Sequence, residues 1–159
     1  DCGLVYKVNR VTKVALPLKA YEDFSVFKLF IVDIGLLGAM TTLDAKILLD
    51  GHAVFVEFKG ALTEQFVLQQ LLSDRDLSIY YWSSDKSDGE IDFLIQYQNQ
   101  FIPLEVKASE NLQAKSLRFF VQKYNPGEAI RTSMSDYREE EWMINLPLYA
   151  ISELTGEVG

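Results

Sequence analysis

The apolar positions of this chain change period from one stretch to the next, and the period predicts the element. Residues 90–97 (EIDFLIQY) and 101–108 (FIPLEVKA) alternate with a period of two, the mark of strands with two unlike faces. The short link through Asn99 joins them as a hairpin. From about Val56 to Leu72 apolar residues recur at helical spacing, over a length that suits a helix. A second helix is expected at about Ala114–Lys123, with Leu117, Phe120 and Val121 in step, and Asn125-Pro126-Gly127 ends it. Further strands are expected over 78–82, 128–132 and 142–145, then a short segment over 148–154. Near the start, 4–14 reads as one or two strands, 15–25 as a connection containing Pro17, and 27–32 as a strand. A short helix follows from Asp33, its N-cap, carrying Leu36, Leu37 and Met40, whereas 41–55 is ambiguous.

From the long helix onward the order is helix, three strands, helix, strand. That order predicts a mixed α/β (α+β) fold with a central mixed sheet flanked by helices. Residues 51–159 would form the core. Residues 1–50 would contribute strands and a short helix that pack on it or link to it.

Four positions break the apolar pattern in an informative way. Stepping about 100° per residue around the long helix, Gly60, Ala61, Val67, Leu68, Leu71 and Leu72 all fall within about 80° of Glu64. Glu64 therefore projects from an apolar arc, where an ionised carboxylate is costly unless paired or bound to metal. It either caps a buried backbone group, pairs with a lysine, or serves a metal. In the hairpin, Ile91, Phe93, Ile95 and Tyr97 share one face, and Glu90, Asp92, Leu94 and Gln96 the other. On the second strand Ile102, Leu104, Val106 and Ala108 oppose Phe101, Pro103, Glu105 and Lys107. Burying the apolar faces together fixes the parity of the register. Two registers satisfy it, one setting Asp92 opposite Glu105 and the other opposite Lys107. Either gathers Asp92, Glu105 and Lys107 on one face, about 5 Å apart where directly opposed. Two carboxylates that close repel each other, and one takes up a proton unless a cation neutralises them; Lys107 supplies one positive charge and a divalent ion would supply the rest. Magnesium suits such a site, because it accepts one or two carboxylates with water and substrate phosphate. Glu90 is a weaker candidate at the strand start. The bland alternative is a solvated face with an ordinary ion pair.

Composition narrows the classes. The chain has 159 residues, 48% hydrophobic and 24% charged, with no apolar run long enough for a membrane span. It begins at Asp1 without Met and is expected to be part of a longer product. One Cys and one His exclude a Cys/His zinc cluster and fit a reducing, cytoplasmic compartment. The net charge of −8 is unlike a domain that holds nucleic acid unaided. His52 lacks local partners and reads as structural or solvent-facing. Lys115, Arg118 and Lys123 read as a wet helix face, Arg138–Glu141 as a solvated loop, and Trp82 and Trp142 as core.

The order Glu64 on a helix, Asp92 in GEIDFLI, then Glu105-Val106-Lys107 in PLEVKAS resembles the PD-(D/E)XK nuclease superfamily, with its restriction-endonuclease-like fold. Ile91 stands where the superfamily name has Pro. Through FKLFIVDIGLLGAM, GALTEQFVLQQLL, YYWSSDKSDGEIDFLI, FIPLEVKAS, NLQAKSLRFF and INLPLYAISEL, nearly the whole chain resembles the C-terminal domain of unknown function that follows the ATPase module in many bacterial and archaeal AAA+ proteins. The resemblance implies that Asp92 and Glu105 ligate Mg2+ or Mn2+, that Lys107 is the catalytic lysine, and that Glu64 assists the metal or the geometry. It implies ATP binding only in an N-terminal module outside this chain, since no phosphate-binding glycine loop is present here. Three functions are compatible with these residues. One is a metal-dependent phosphodiesterase acting on DNA or RNA. The second is a non-catalytic recognition module for the ATPase. The third is a homo-oligomerisation domain.

Overall fold

The hairpin at the centre of the pattern is the centre of the fold. In a computed structural model of the chain, residues 4–33, 53–73, 76–84, 89–108 and 113–154 are described, with backbone alone for 53–58. Strands β4 (Glu90–Tyr97) and β5 (Gln100–Lys107) pair antiparallel from Tyr97↔Gln100 to Phe93↔Leu104. A two-residue turn joins them, and Gln98 enters the left-handed region there with φ 51°. Strand β3 (Ser78–Ser83) flanks β4 antiparallel, and β6 (Ile130–Ser133) flanks β5 parallel. On the far side β8 (Met143–Pro147) runs parallel to β6, and β7 (Arg138–Glu140) closes that edge antiparallel to β8. On the near side β1 (Val5–Val11) bridges β3 at Arg10↔Tyr81 and pairs antiparallel with β2 (Glu22–Ile31). Among the described residues these strands form one mixed sheet in the order β2-β1-β3-β4-β5-β6-β8-β7. The fold is therefore mixed α/β, with a large sheet and a few helices.

Each face carries its own core. Helix α1 (Ala53–Leu71) packs Val67, Leu68 and Leu71 against Phe93, Ile95, Ile102, Leu104, Ile130 and Leu146. Helix α2 (Lys115–Tyr124) packs Leu117 and Phe120 against Tyr80, Trp82, Ile91, Leu94 and Met143 on the other face. Trp82 is buried among the rings of Phe119, Phe120 and Tyr124, as its apolar strand predicted. Lys115, Arg118 and Lys123 are exposed, a wet face as expected. Helix α2 stops where Asn125 turns left-handed (φ 46°) and its N–H bonds the Val121 carbonyl. No described helix is long and apolar enough to cross a membrane.

Three expectations about elements change. Strand β2 begins at Glu22 instead of residue 27, because pairing with β1 reaches Val11↔Glu22. The run Arg138–Glu141, expected as a loop, contributes β7. Its exposed charges suit an edge strand that must not recruit another chain. Helix α1 begins at Ala53 within the stretch that fitted no period. The helix expected from Asp33, the residues up to 52, and His52 lie outside the described residues.

The edge at β2 is closed by a helix. The Gln65 side chain accepts from Ile31 N–H (2.9 Å) and donates to the Ile31 carbonyl, and Gln69 donates to the Val32 carbonyl. Gln65 is buried and does for Ile31 what a further strand would do. This ties β2 to α1 and positions the one lysine that β2 contributes to the interior.

A lysine-bridged acidic site at a fork in the sheet

The β4–β5 ladder ends at Phe93↔Leu104. Beyond it β4 pairs with β3 through Ile91 and Glu90, whereas β5 pairs with β6 through Lys107↔Ser133. The two central strands fork. One step further in the same register sets Asp92 opposite Glu105, the first of the two registers compatible with the pattern. At the fork the Val106 N–H donates to Asp92 Oδ2 at 2.7 Å. A side chain has replaced a ladder carbonyl.

The expected face assignment of β4 does not hold. Tyr80↔Leu94 and Trp82↔Ile91 leave both Asp92 and Phe93 opposite the single Tyr81, a bulge with the extra residue on β4. Ile91 therefore joins Leu94 on the α2 face, while Phe93 faces α1. Strict alternation from Leu94 would put Asp92 on the α2 face. The bulge re-aims it toward α1. Asp92, Glu105 and Lys107 thus do not share one face, as simple alternation predicts. Glu105 stays on the α2 side, where its Oε1 pairs with Lys107 Nζ at 2.5 Å and its Oε2 accepts from the Leu117 N–H at 3.2 Å. Leu117 lies in the first turn of α2, and Ala114, the N-cap, offers no side-chain acceptor. Buried Glu105 supplies the missing cap and meets the positive end of the helix.

On the α1 side Asp92 meets a residue that the pattern reading passed over. Lys28 of β2 forms ion pairs with Glu90, with Glu64 (3.8 Å) and with Asp92 (4.0 Å). Its ammonium also lies 5.1 Å from the Tyr81 ring centroid. A cavity of about 380 Å³ beside it is lined by Lys28, Ala61, Glu64 and Gln65 among others. Lys28 left a trace in the sequence, as the only charged residue in the apolar run FKLFIV. Glu90, the weaker candidate, belongs to the cluster. Glu64 is half-buried on α1, paired with a lysine as one of its alternatives required.

The electrostatics follow from that crowding. Burial, then the charge of Glu64, push the Asp92 carboxyl up to about 7, against the Val106 N–H and Lys28, which favour its ionised form. Burial also raises Glu64, opposed by Lys28. Burial draws the Lys28 ammonium down, but Glu90, Glu64 and Asp92 outweigh it and hold Lys28 above its ordinary value. When all are ionised, the four carboxylates of Glu64, Glu90, Asp92 and Glu105 outnumber the two ammoniums by two, the charge of one divalent cation. Hard carboxylate oxygens are the donors that Mg2+ and Mn2+ take. In charge and donor chemistry the residues fit such an ion. In the present arrangement the acids are divided between the two lysines, and among the described residues no three acidic, His or Cys side chains converge as a ready-made metal centre.

A second polar group lies along the same sheet. Asn145 Oδ1 accepts from Arg131 Nε (2.9 Å) and Ser133 Oγ (2.8 Å), and its amide donates to the carbonyls of Ser135 and Asp136. This buried knot holds the turn between β6 and β7.

The class defined so far is a mixed α/β domain with a lysine-bridged carboxylate cluster at a fork between its central strands. Residues 59–151 match the family model described as Domain of unknown function (DUF4143), and the chain belongs to that family. No curated protein and no solved structure matches the chain. The matched segment holds Glu64, Glu90, Asp92, Glu105 and Lys107; Lys28 lies outside it.

Proposed function

We propose that this domain is a PD-(D/E)XK-type, restriction-endonuclease-like module that engages phosphodiesters with the help of Mg2+ or Mn2+. The observation that supports this most is the fork, where β4 and β5 part at Asp92 and Glu105, Asp92 turned toward α1 and Glu105 toward α2 with Lys107 beside it. Asp92 and Glu105 would hold the cation, with Glu64 near it on α1. Such an ion, when bound, polarises a phosphodiester and lowers the pKa of a water. The chain's own groups do the rest. The Val106 N–H holds Asp92 in place, and the first turn of α2 holds Glu105. Lys107, once released from Glu105, orients an attacking water or meets charge developing on the phosphate. The substrate class is DNA or RNA. With a net charge of −8 the domain relies on another part of the protein to deliver it, and an N-terminal AAA+ ATPase module suits that task.

The test is incubation of the longest native chain with plasmid, single-stranded DNA and RNA in the presence of Mg2+ or Mn2+. Wild type should cleave at least one of them, and Asp92→Asn and Lys107→Ala should not. Cleavage that persists in both variants removes the assignment.

One observation favours a second reading, a non-catalytic recognition module of the same ATPase. Each of the acids already has a lysine partner, Lys28 or Lys107. Absence of Mn2+ binding at millimolar concentration, together with retained binding to a partner protein, would select it.

A further inference from the structure

The hairpin of β1 and β2 precedes the segment matched to the family, yet it delivers a cation into the middle of the acidic cluster that this chain's matched segment carries. We propose that Lys28 is a built-in competitor of the divalent cation: its ammonium occupies the carboxylates of Glu64, Glu90 and Asp92 and must withdraw before a metal ion is held. This rests on the metal reading of the site given above.

Geometry carries the inference. A single Nζ is shared by three carboxylates that come from two different elements, α1 and β4. A compact ammonium is a point charge that three acids share more readily than a planar guanidinium would be. Its backbone is fixed, because Gln65 holds both polar groups of Ile31 and Lys28 pairs with Val8. The four-carbon stem is the mobile part. The Lys28 side chain keeps 23% of its surface in solvent, so the stem can re-aim the ammonium without any movement of the strand. Removing the charge at position 28 leaves Glu64, Glu90 and Asp92 without their shared counter-ion. They must then take up protons or a cation. A lysine that merely supported the fold would weaken metal binding when lost. A competitor strengthens it.

Titration calorimetry of the full chain with MnCl2 at pH 7.5 tests this with wild type, Lys28→Met, Lys28→Arg and, as a charge control, Lys7→Met on the neighbouring strand. The inference predicts that Lys28→Met binds Mn2+ about tenfold or more tightly than wild type, the scale expected from removing one close like charge. Lys28→Arg, which keeps the charge, tightens binding far less than Lys28→Met does, and Lys7→Met is unchanged. Lys28→Gln, which keeps most of the stem, replaces Lys28→Met if that variant does not fold. A second readout is thermal melting. The Lys28→Met variant melts lower than wild type without metal and gains more on adding Mn2+. Equal affinity in wild type and Lys28→Met, or equal tightening in Lys7→Met, overturns the inference while leaving the metal reading in place. Absence of Mn2+ binding in every variant overturns both.

Discussion

Replacing Asp92 by Asn should make the protein more stable, and by an amount that grows with pH. The Asp92 carboxyl is pushed from 3.8 to about 7 in the fold, chiefly by burial and by Glu64. A raised acid binds its proton more tightly folded than unfolded. It therefore costs nothing below the unfolded pKa of 3.8, and a growing amount as pH rises toward 7, where the cost levels off. At about 1.4 kcal/mol per unit the full shift corresponds to roughly 4 kcal/mol. The side chain is 19% exposed and Lys28 and solvent relax around it, so about 2 kcal/mol is the working figure. Asn keeps an oxygen for the Val106 N–H, so the hydrogen bond at the fork survives. Urea unfolding of wild type and Asp92→Asn at pH 5 and pH 8 measures it. The variant should be more stable by about 2 kcal/mol at pH 8 and by about half that at pH 5, with equal m-values. A variant less stable than wild type at pH 8, or a difference that does not change with pH, would refute the reasoning.

Two further substitutions separate the site's carboxylates by role. Glu105→Ala should destabilise by about 1–3 kcal/mol in the same assay, opposite in sign to Asp92→Asn. It strands the buried Leu117 N–H and removes the cap of α2; a stabilised Glu105→Ala would show that Glu105 is not held this way. Gln65→Ala should cost about 2–4 kcal/mol, since it leaves both the N–H and the carbonyl of Ile31 without a partner at the sheet edge. Hydrogen exchange should show the Ile31 amide losing protection first, and unchanged exchange there would contradict the edge role.

The parts of this fold that were legible in the sequence are those set by local periodicity. The alternation in EIDFLIQY and FIPLEVKA located β4 and β5, and its parity restricted the register to two choices, one of which the structure has. Asn125 marked the end of α2 because few residues other than Gly tolerate its left-handed backbone. Glu64 stood out because a carboxylate on a packed arc requires a partner. What stayed hidden depends on contacts far apart in the chain. The bulge at Asp92 exists only relative to Tyr81 on β3, so alternation within β4 assigned Ile91 and Asp92 to the wrong faces. Lys28 is 36 residues from Glu64 and 64 from Asp92, and only the sheet order brings them together. Gln65 reads as one more polar residue on a helix until the edge strand it completes is known. Arg138–Glu140 carries no apolar position to mark it as a strand, because it is a short, largely exposed edge.

The proposed function depends on a divalent cation being received at the fork between β4 and β5. Paramagnetic broadening of backbone amide signals by substoichiometric Mn2+ tests it most directly. Val106 and Leu117 donate their N–H groups to the two carboxylates proposed as ligands, so they report from both sides of the site. These two signals should broaden first, and Asp92→Asn should abolish the effect. Broadening that begins instead at the acidic run Glu139–Glu141, or that is unchanged in Asp92→Asn, would overturn the assignment.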